Sequence, residues 1–253
     1  MHYSSILPDV IKVAEEASER VLHIYQSDFK VDYKEDKSPI TAADIASHEV
    51  LVKGLRNISQ DIPVLSEEGK SIPWEERKHW HRFWLIDPID GTKDFTQRTG
   101  EFTVHVALIE DGVPVLGVVT VPAQHEVYWG AQGEGAFKRT RDGKTHRIRV
   151  AGPRDVKRIV ASKNHLNEET RAFIDKVGEH ELVQAGSSLK FCRIAEGRAD
   201  LYPRLGPTCE WDTGAAHAVL LAAGGRVDTL EGEPLRYGKE DIYNPFFIAS
   251  SNA

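Results

Sequence analysis

Asp87 and Asp90 stand three positions apart in Arg82-Phe83-Trp84-Leu85-Ile86-Asp87-Pro88-Ile89-Asp90-Gly91-Thr92-Lys93-Asp94-Phe95. Phe83 to Ile86 is an apolar run that predicts a short buried strand, and Pro88, which cannot donate to a ladder, should end it. Asp90-Gly91 then reads as a tight turn, with Gly91 supplying backbone angles closed to other residues. Two carboxylates fixed at a strand end suit a hard cation. The amides of Gly91 and Thr92 beyond them would open a helix toward an anion such as phosphate. Carboxylates for a metal and amides for a phosphate make up half of a metal-assisted phosphatase site. Asp-Pro and Asp-Gly are also ordinary turn punctuation, and on this segment alone the two readings weigh equally.

Other acids have the same double character. Thr41 is a good N-cap, and Asp44 falls at the capping-box position of the helix that follows, whose apolar positions read as Ile45, His48, Val52, Leu55 and Ile58. Capping alone accounts for Asp44. Asp61 to Leu65 is extended and delivers Glu67 and Glu68, which by themselves read as a solvated loop. Asp212 follows Trp211 at the start of an Ala-rich helix, where an N-cap is the commonest use of Asp. Glu67, Asp87, Asp90 and Asp212 would together make an oxygen cage for Mg²⁺ if the chain brings them into one place.

The elements that must do so change character along the chain. A first amphipathic helix carries Val10, Val13, Ala14, Ala17, Val21 and Ile24 at helical spacing. Phe102 to Ile109, Val113 to Val121 and Val127 to Ala131 read as strands of an antiparallel meander, turned at Glu110-Asp111-Gly112. Gly130, Gly133 and Gly135 lie between strands and read as a hairpin rather than a phosphate loop. From about residue 156 the pattern becomes α/β. Strands are expected at Arg158 to Ser162, Leu182 to Ala185, Ala199 to Tyr202 and Arg226 to Asp228. Helices are expected at Glu168 to Val177, from Gly186-Ser187-Ser188 to Glu196, and from Asp212 to Gly224-Gly225. This shift divides the chain into an N-terminal α+β lobe, residues 1–155, and a C-terminal α/β lobe, residues 156–253.

Composition bounds the function. At 253 residues, 40% hydrophobic and 28% charged, the chain reads as a soluble globular protein. No apolar run approaches the roughly 20 residues of a membrane helix, and the N-terminus has no charged region followed by an apolar core. A formal net charge of −7 argues against a nucleic-acid polymer as partner. Cys192 and Cys209 fit no zinc spacing and read as free thiols of a cytoplasmic protein.

Ser66-Glu67-Glu68, Asp87-Pro88-Ile89-Asp90-Gly91-Thr92 and Trp211-Asp212-Thr213-Gly214-Ala215-Ala216, in this order, resemble the signature set of the inositol monophosphatase superfamily. Lys37 to Asp44, Gly91 to Phe95 and Gly186 to Cys192 narrow the resemblance to bacterial 3′(2′),5′-bisphosphate nucleotidases of the CysQ type. Gly214-Ala215-Ala216-His217 departs from the Ala-Ala-Gly-His of close relatives without touching an acid. The resemblance implies a layered αβαβα sandwich with the site in a cleft between the lobes. It implies one Mg²⁺ on Glu67, Asp87 and the carbonyl of Ile89, and a second on Asp87, Asp90 and Asp212, and it allows a third, weaker ion near Glu67. Thr92 and Asp44 would orient the attacking water with Glu67 nearby, and the amides of Gly91 and Thr92 would hold the phosphate.

For a substrate with two phosphates, Lys190 and Arg204 are the expected cations and Ser187 a hydrogen-bond donor, with His165 near the base or ribose. Taken singly, the lysine and arginine would read as surface bases, and His165 as an ordinary histidine. The implied reaction is removal of the 3′-phosphate of adenosine 3′,5′-bisphosphate, a small phosphorylated nucleotide of sulfate assimilation, with lithium as an inhibitor and the sulfated nucleotide as a second substrate. An inositol monophosphatase or sugar bisphosphatase is the alternative within the superfamily. A catalytically silent nucleotide- or metal-sensing protein is the alternative outside it.

Overall fold

The computed structural model describes residues 3–34, 39–161 and 166–251. The first apolar stripe forms α1 (Tyr3–Tyr25), which buries Val10, Val13, Ala14, Ala17 and Val21 on one face. A short antiparallel ribbon, β1 (Val31–Tyr33) with β2 (Pro39–Thr41), leads into α2 (Ala42–Ile58). Next come β3 (Val64–Ser66), α3 (Trp74–Arg77), β4 (Arg82–Asp90), α4 (Thr92–Thr96), β5 (Thr103–Glu110), β6 (Val113–Val121), β7 (Glu126–Ala131), β8 (Gly135–Arg139) and β9 (Thr145–Ile148). These seven strands make one sheet in chain order, antiparallel throughout except where β3 joins β4.

The remaining chain supplies β10 (Lys157–Ala161), α5 (Glu168–Lys176), β11 (His180–Gln184), α6 (Leu189–Ala195), β12 (Leu201–Arg204), α7 (Glu210–Ala222), β13 (Gly225–Thr229) and β14 (Phe247–Ser251). Its sheet has the order β11-β10-β12-β14-β13, with β10 parallel to β11 and β12, and β14 antiparallel to β12 and β13. Among the described residues no helix is long and apolar enough to cross a membrane.

Alternation along the strands explains the layering. Trp84, Ile86, Val104, Val106 and Leu108 point one way and pack against α1 and α2. Phe83, Leu85, Ala107 and Ile109 point the other way and join Leu189, Phe191, Ala216, Val219 and Phe247 in a core between the two sheets. Ile174 of α5 packs with Ile159 and Ala161 on the outside of the second sheet. The order is therefore helix, sheet, helix, sheet, helix, as the resemblance implies. Helix α7 lies in the middle layer, where glycines let it approach the sheet. A Cβ on Gly117 of β6 would sit 2.1 Å from the carbonyl oxygen of Ala215, and one on Gly130 of β7 would sit 2.7 Å from the Ala222 Cβ.

Several local expectations are corrected. Strand β4 does not stop at Pro88 but runs to Asp90. Asp87 faces His105 and Asp90 faces Thr103, so the register shifts between them; Pro88 sits in a bulge that asks no ladder bond of it. Helix α2 buries Ala43, Asp44, Ser47, Leu51 and Leu55; of the expected stripe Leu55 is buried and Val52 and Ile58 pack partly buried against the core, while Ile45 is 43% exposed. The reason is that polar side chains on this helix face a polar site. Asp212 is the third residue of α7, not its cap, since the N-cap is Cys209. Strands β1, β2, β8, β9 and β14 are additions to the sequence reading.

Candidate active site

The bulged end of β4 and the first turn of α7 meet, and Asp87, Asp90 and Asp212 each offer a carboxylate oxygen, all within 4.8 Å of one another. Asp87 Oδ1 accepts from the amide of Ile89 at 3.0 Å. Its Oδ2 is buried and, among the described residues, has no hydrogen-bond partner. Burial first, then the charges of Glu67, Asp90 and Asp212, push the Asp87 carboxyl well above the usual carboxylate range. Burial and then the charge of Asp90 push Asp212 up to about 8. A buried orphan oxygen amid mutually repelling acids is a site short of positive charge. The donors are all hard oxygens, so the residues fit Mg²⁺.

Glu67 adjoins Asp87 at the end of β3, and its carboxyl is raised by burial although Lys34 opposes the rise. Lys34 Nζ donates to Glu67 Oε1 at 2.8 Å and also to Glu68, so neither acid is a free loop charge. Nothing in the sequence sets Lys34 apart from the other lysines around it.

Asp44 divides its two oxygens. Oδ2 accepts from the amide of Thr41 at 2.7 Å and from its hydroxyl at 2.8 Å, completing the capping box. Oδ1 accepts from Thr92 Oγ1 at 3.3 Å. The threonine hydroxyl also lies 3.3 Å from the carbonyl of Ile89. Gly91 holds φ at +88°, the left-handed conformation expected of it, and turns the chain from β4 into α4. Asp212 repeats the capping arrangement: its Oδ2 accepts from the amide of Cys209 at 2.8 Å. The surrounding turn is pinned by Asn244, which donates to the Cys209 carbonyl at 2.8 Å, and by Glu210, which accepts from the amides of Gly238 and Lys239.

The Asp90 carboxylate is gripped from β5 and from the turn that precedes α6. Its Oδ2 accepts from the amide of Ser188 at 2.8 Å, from the hydroxyl of Ser187 and, at 3.4 Å, from Thr103. Ser187, expected at the substrate, is thus directed at a carboxylate of the trio. His105, fully buried on β5, lies beneath this cluster, and burial lowers the pKa of its imidazole. Sequence reasoning missed His105 and Thr103, which look there like ordinary members of an alternating strand.

Lys190 is buried, and burial lowers its ammonium to about 8. Its Nζ donates to the carbonyl of Ser187 at 2.8 Å and lies over the Tyr202 ring. Arg204 donates to the carbonyl of Pro207 at 2.9 Å, while its buried Nε has no partner among the described residues. Both cations, with Tyr202, line two clefts. One, of about 80 Å³, is lined by Asp90, Ser187 and Asp212. The other, of about 200 Å³, is lined by Leu166, Asn167, Thr170, Gly206 and Pro207. His165 lies outside the described residues, as do Lys37 and Ser38.

A family model described as the inositol monophosphatase family matches residues 3–250. The chain is 45% identical over 248 residues to the 3′(2′),5′-bisphosphate nucleotidase CysQ of Escherichia coli (strain K12), covering 97% of this chain and 99% of the relative. It is 45% identical over 245 residues to the protein of the same name from Salmonella typhimurium, covering 96% and 98%. The solved structure of CysQ from Bacteroides thetaiotaomicron, described as a bacterial member of the inositol monophosphatase family, matches with a TM-score of 0.89 at 41% identity over 100% of this chain and 99% of that one. The inositol monophosphatase of Anabaena shares the fold, with a TM-score of 0.79 at 24% identity over 99% of this chain and 92% of that one.

Proposed function

The chain belongs to the inositol monophosphatase family, and from that premise we propose that it is a Mg²⁺-dependent phosphatase of adenosine 3′,5′-bisphosphate, releasing the 3′-phosphate and leaving AMP. The observation that carries the substrate is the pair Lys190 and Arg204, which line both the cleft of Asp90 and Asp212 and a second cleft. A substrate with one phosphate at the acids presents its second phosphate to those cations, and its base to the cleft beyond. The names of the relatives support the same class.

In this reading Glu67, Asp87 and the carbonyl of Ile89 hold one ion, and Asp87, Asp90 and Asp212 hold another, with a third, weaker one near Glu67. Bound Mg²⁺ would neutralise the phosphate oxygens, acidify a water and stabilise the leaving oxygen. The protein's own part is orientation. Thr92, donating to Asp44, has a lone pair left to accept a hydrogen bond from the water, so the capping acid also aims the nucleophile. The amides of Gly91 and Thr92 receive the phosphate. Water adds to phosphorus, the bond from phosphorus to the ribose 3′-oxygen breaks, and that oxygen takes a proton. No covalent enzyme intermediate is needed. The lobes 1–155 and 156–253 act as one catalytic unit, since Asp212 comes from the second. His165 would flank the base or ribose, the sulfated nucleotide is a second substrate, and the setting is the cytoplasm.

Phosphate release from adenosine 3′,5′-bisphosphate and from inositol 1-phosphate, assayed side by side with Mg²⁺, with EDTA and with added Li⁺, tests the reading. Release from the nucleotide that needs Mg²⁺ and falls with Li⁺ supports it. Release from inositol 1-phosphate alone would keep the metal site and overturn the substrate. Silence on both, with tight nucleotide binding, would turn the chain into a sensor.

A further inference from the structure

Asp90 and Asp212 come from different sheets' worth of chain, and one side chain touches the surroundings of both. His105 Nδ1 lies 3.2 Å from the carbonyl oxygen of Trp211, the residue before Asp212. Its Nε2 lies 2.6 Å from Ser188 Oγ, 2.9 Å from Thr103 Oγ1 and 3.7 Å from Asp90 Oδ2. A carbonyl only accepts, so Nδ1 must carry the proton and Nε2 of the neutral ring is left to accept. The 2.6 Å contact then takes the hydroxyl proton of Ser188. With Ser188 committed to the imidazole, the Thr103 hydroxyl is left for the Asp90 side, 2.8 Å from Ser187 Oγ and 3.4 Å from Asp90 Oδ2, the oxygen that the Ser187 hydroxyl and the Ser188 amide also hold. These donors converge on one oxygen of Asp90 and leave the other for a cation.

We propose that His105 is a positioning residue: it fixes which Asp90 oxygen faces the ion and ties that carboxylate to the first turn of α7, and so sets the span between Asp90 and Asp212. The inference rests on the reading that these acids hold Mg²⁺. Groups that orient ligands from behind alter metal affinity by about 10- to 100-fold without touching the ion.

The experiment is calorimetric titration of Mg²⁺ into the whole, substrate-free protein, for the parent, His105→Leu and His105→Asn, with melting temperatures of each in EDTA. His105→Leu loses both ends of the link and should bind Mg²⁺ at least about tenfold more weakly. Asparagine places an N–H near the Nδ1 position, keeps the bond to Trp211 and loses the acceptor, so His105→Asn should recover part of that loss. Half-saturating Mg²⁺ for turnover should rise in the same order. A purely structural role would lower the melting temperature in EDTA and leave Mg²⁺ affinity within about twofold of the parent in both variants; that result overturns the inference. If His105→Leu does not fold, His105→Asn alone decides. If the parent takes up no Mg²⁺, this inference falls with the metal reading, an outcome distinct from a parent that binds and variants that match it.

Discussion

Lys34 Nζ lies 2.8 Å from Glu67 Oε1, so an internal ammonium occupies an oxygen of a carboxylate proposed to hold a cation. The same nitrogen also pairs with Glu68. Burial alone would lower the lysine's pKa, but the two glutamates outweigh it and raise it. An ion arriving at Glu67 must compete with this ammonium. Lys34→Met should therefore tighten Mg²⁺ binding by about fivefold, on the order of the 1 kcal/mol a partly exposed ion pair is worth. Calorimetry decides it, and weaker binding in the variant would mean that Lys34 holds Glu67 in place for the metal.

Asp90→Asn keeps the shape of the side chain and its acceptor oxygen for Ser187 and Ser188. It removes one of the repelling charges that raise Asp87 and Asp212. The metal-free variant should melt no lower than the parent, while the stabilisation produced by Mg²⁺ disappears and turnover falls by about a hundredfold or more. Retained Mg²⁺-dependent stabilisation at parental concentrations would remove Asp90 from the ligand set.

The raised carboxyls give a pH signature. Asp212 at about 8 stands far above an unfolded aspartate near 4. Between about pH 4 and 8 the native chain holds a proton that the unfolded chain has released, so stability falls as pH rises through this window. Melting temperature in EDTA should decline from pH 5 to pH 8. Saturating Mg²⁺, which requires the ionised carboxylates, should flatten the decline, and binding at pH 7 should release protons to the buffer. A metal-free melting temperature that rises over this range would contradict the crowding of acids.

Much of this was legible because it is local. The capping box of Thr41 and Asp44, the turn at Gly91 and the meander from Phe102 to Ala131 follow from side-chain chemistry within a few residues. The meeting of Asp212 with Asp87 is not local; it depends on α7 settling against Gly117, which the sequence presents as a plain strand glycine, and Gly130, which it presents as part of a hairpin but which lies within β7. The phase of α2 was read off-centre because its buried face also carries Asp44 and Ser47, which hydrophobicity alone does not mark. Strand β14 is five residues after a long loop, and its place between β12 and β13 comes only from tertiary pairing. Trp211 and Ser188 beside His105, and the glutamates beside Lys34, are distant in sequence, so residue type alone could not single them out.

Lys190 separates substrate recognition from chemistry. Its buried ammonium has one described acceptor, the Ser187 carbonyl, and charge to spare for an anion. Lys190→Ala should raise KM for adenosine 3′,5′-bisphosphate by about tenfold or more, the worth of a charged hydrogen bond, and leave a simple monophosphate little changed. Its ammonium, lowered to about 8, also predicts that KM for the bisphosphate climbs above that pH in the parent and not in the variant. Equal losses on both substrates would place Lys190 at the reacting phosphate or in the scaffold.

Gly117→Ala tests whether packing delivers the last acid to the site. The new methyl would meet the Ala215 carbonyl at 2.1 Å and the Ala218 Cβ at 2.8 Å, both on the helix that carries Asp212. Backbone cannot yield as a flexible side chain does, so α7 must move away from β6. Overpacking of this kind costs about 1 to 3 kcal/mol and should lower the melting temperature by several degrees. The displacement should also separate Asp212 from Asp87 and weaken Mg²⁺ binding beyond what the lost stability explains. Gly152→Ala is the control: a Cβ there has nothing within 4 Å and needs no left-handed backbone, so stability and Mg²⁺ affinity should both stay at the parental level. A destabilised Gly117→Ala with unchanged Mg²⁺ affinity would show that the first turn of α7 is anchored by Asn244 and Glu210 independently of the helix body.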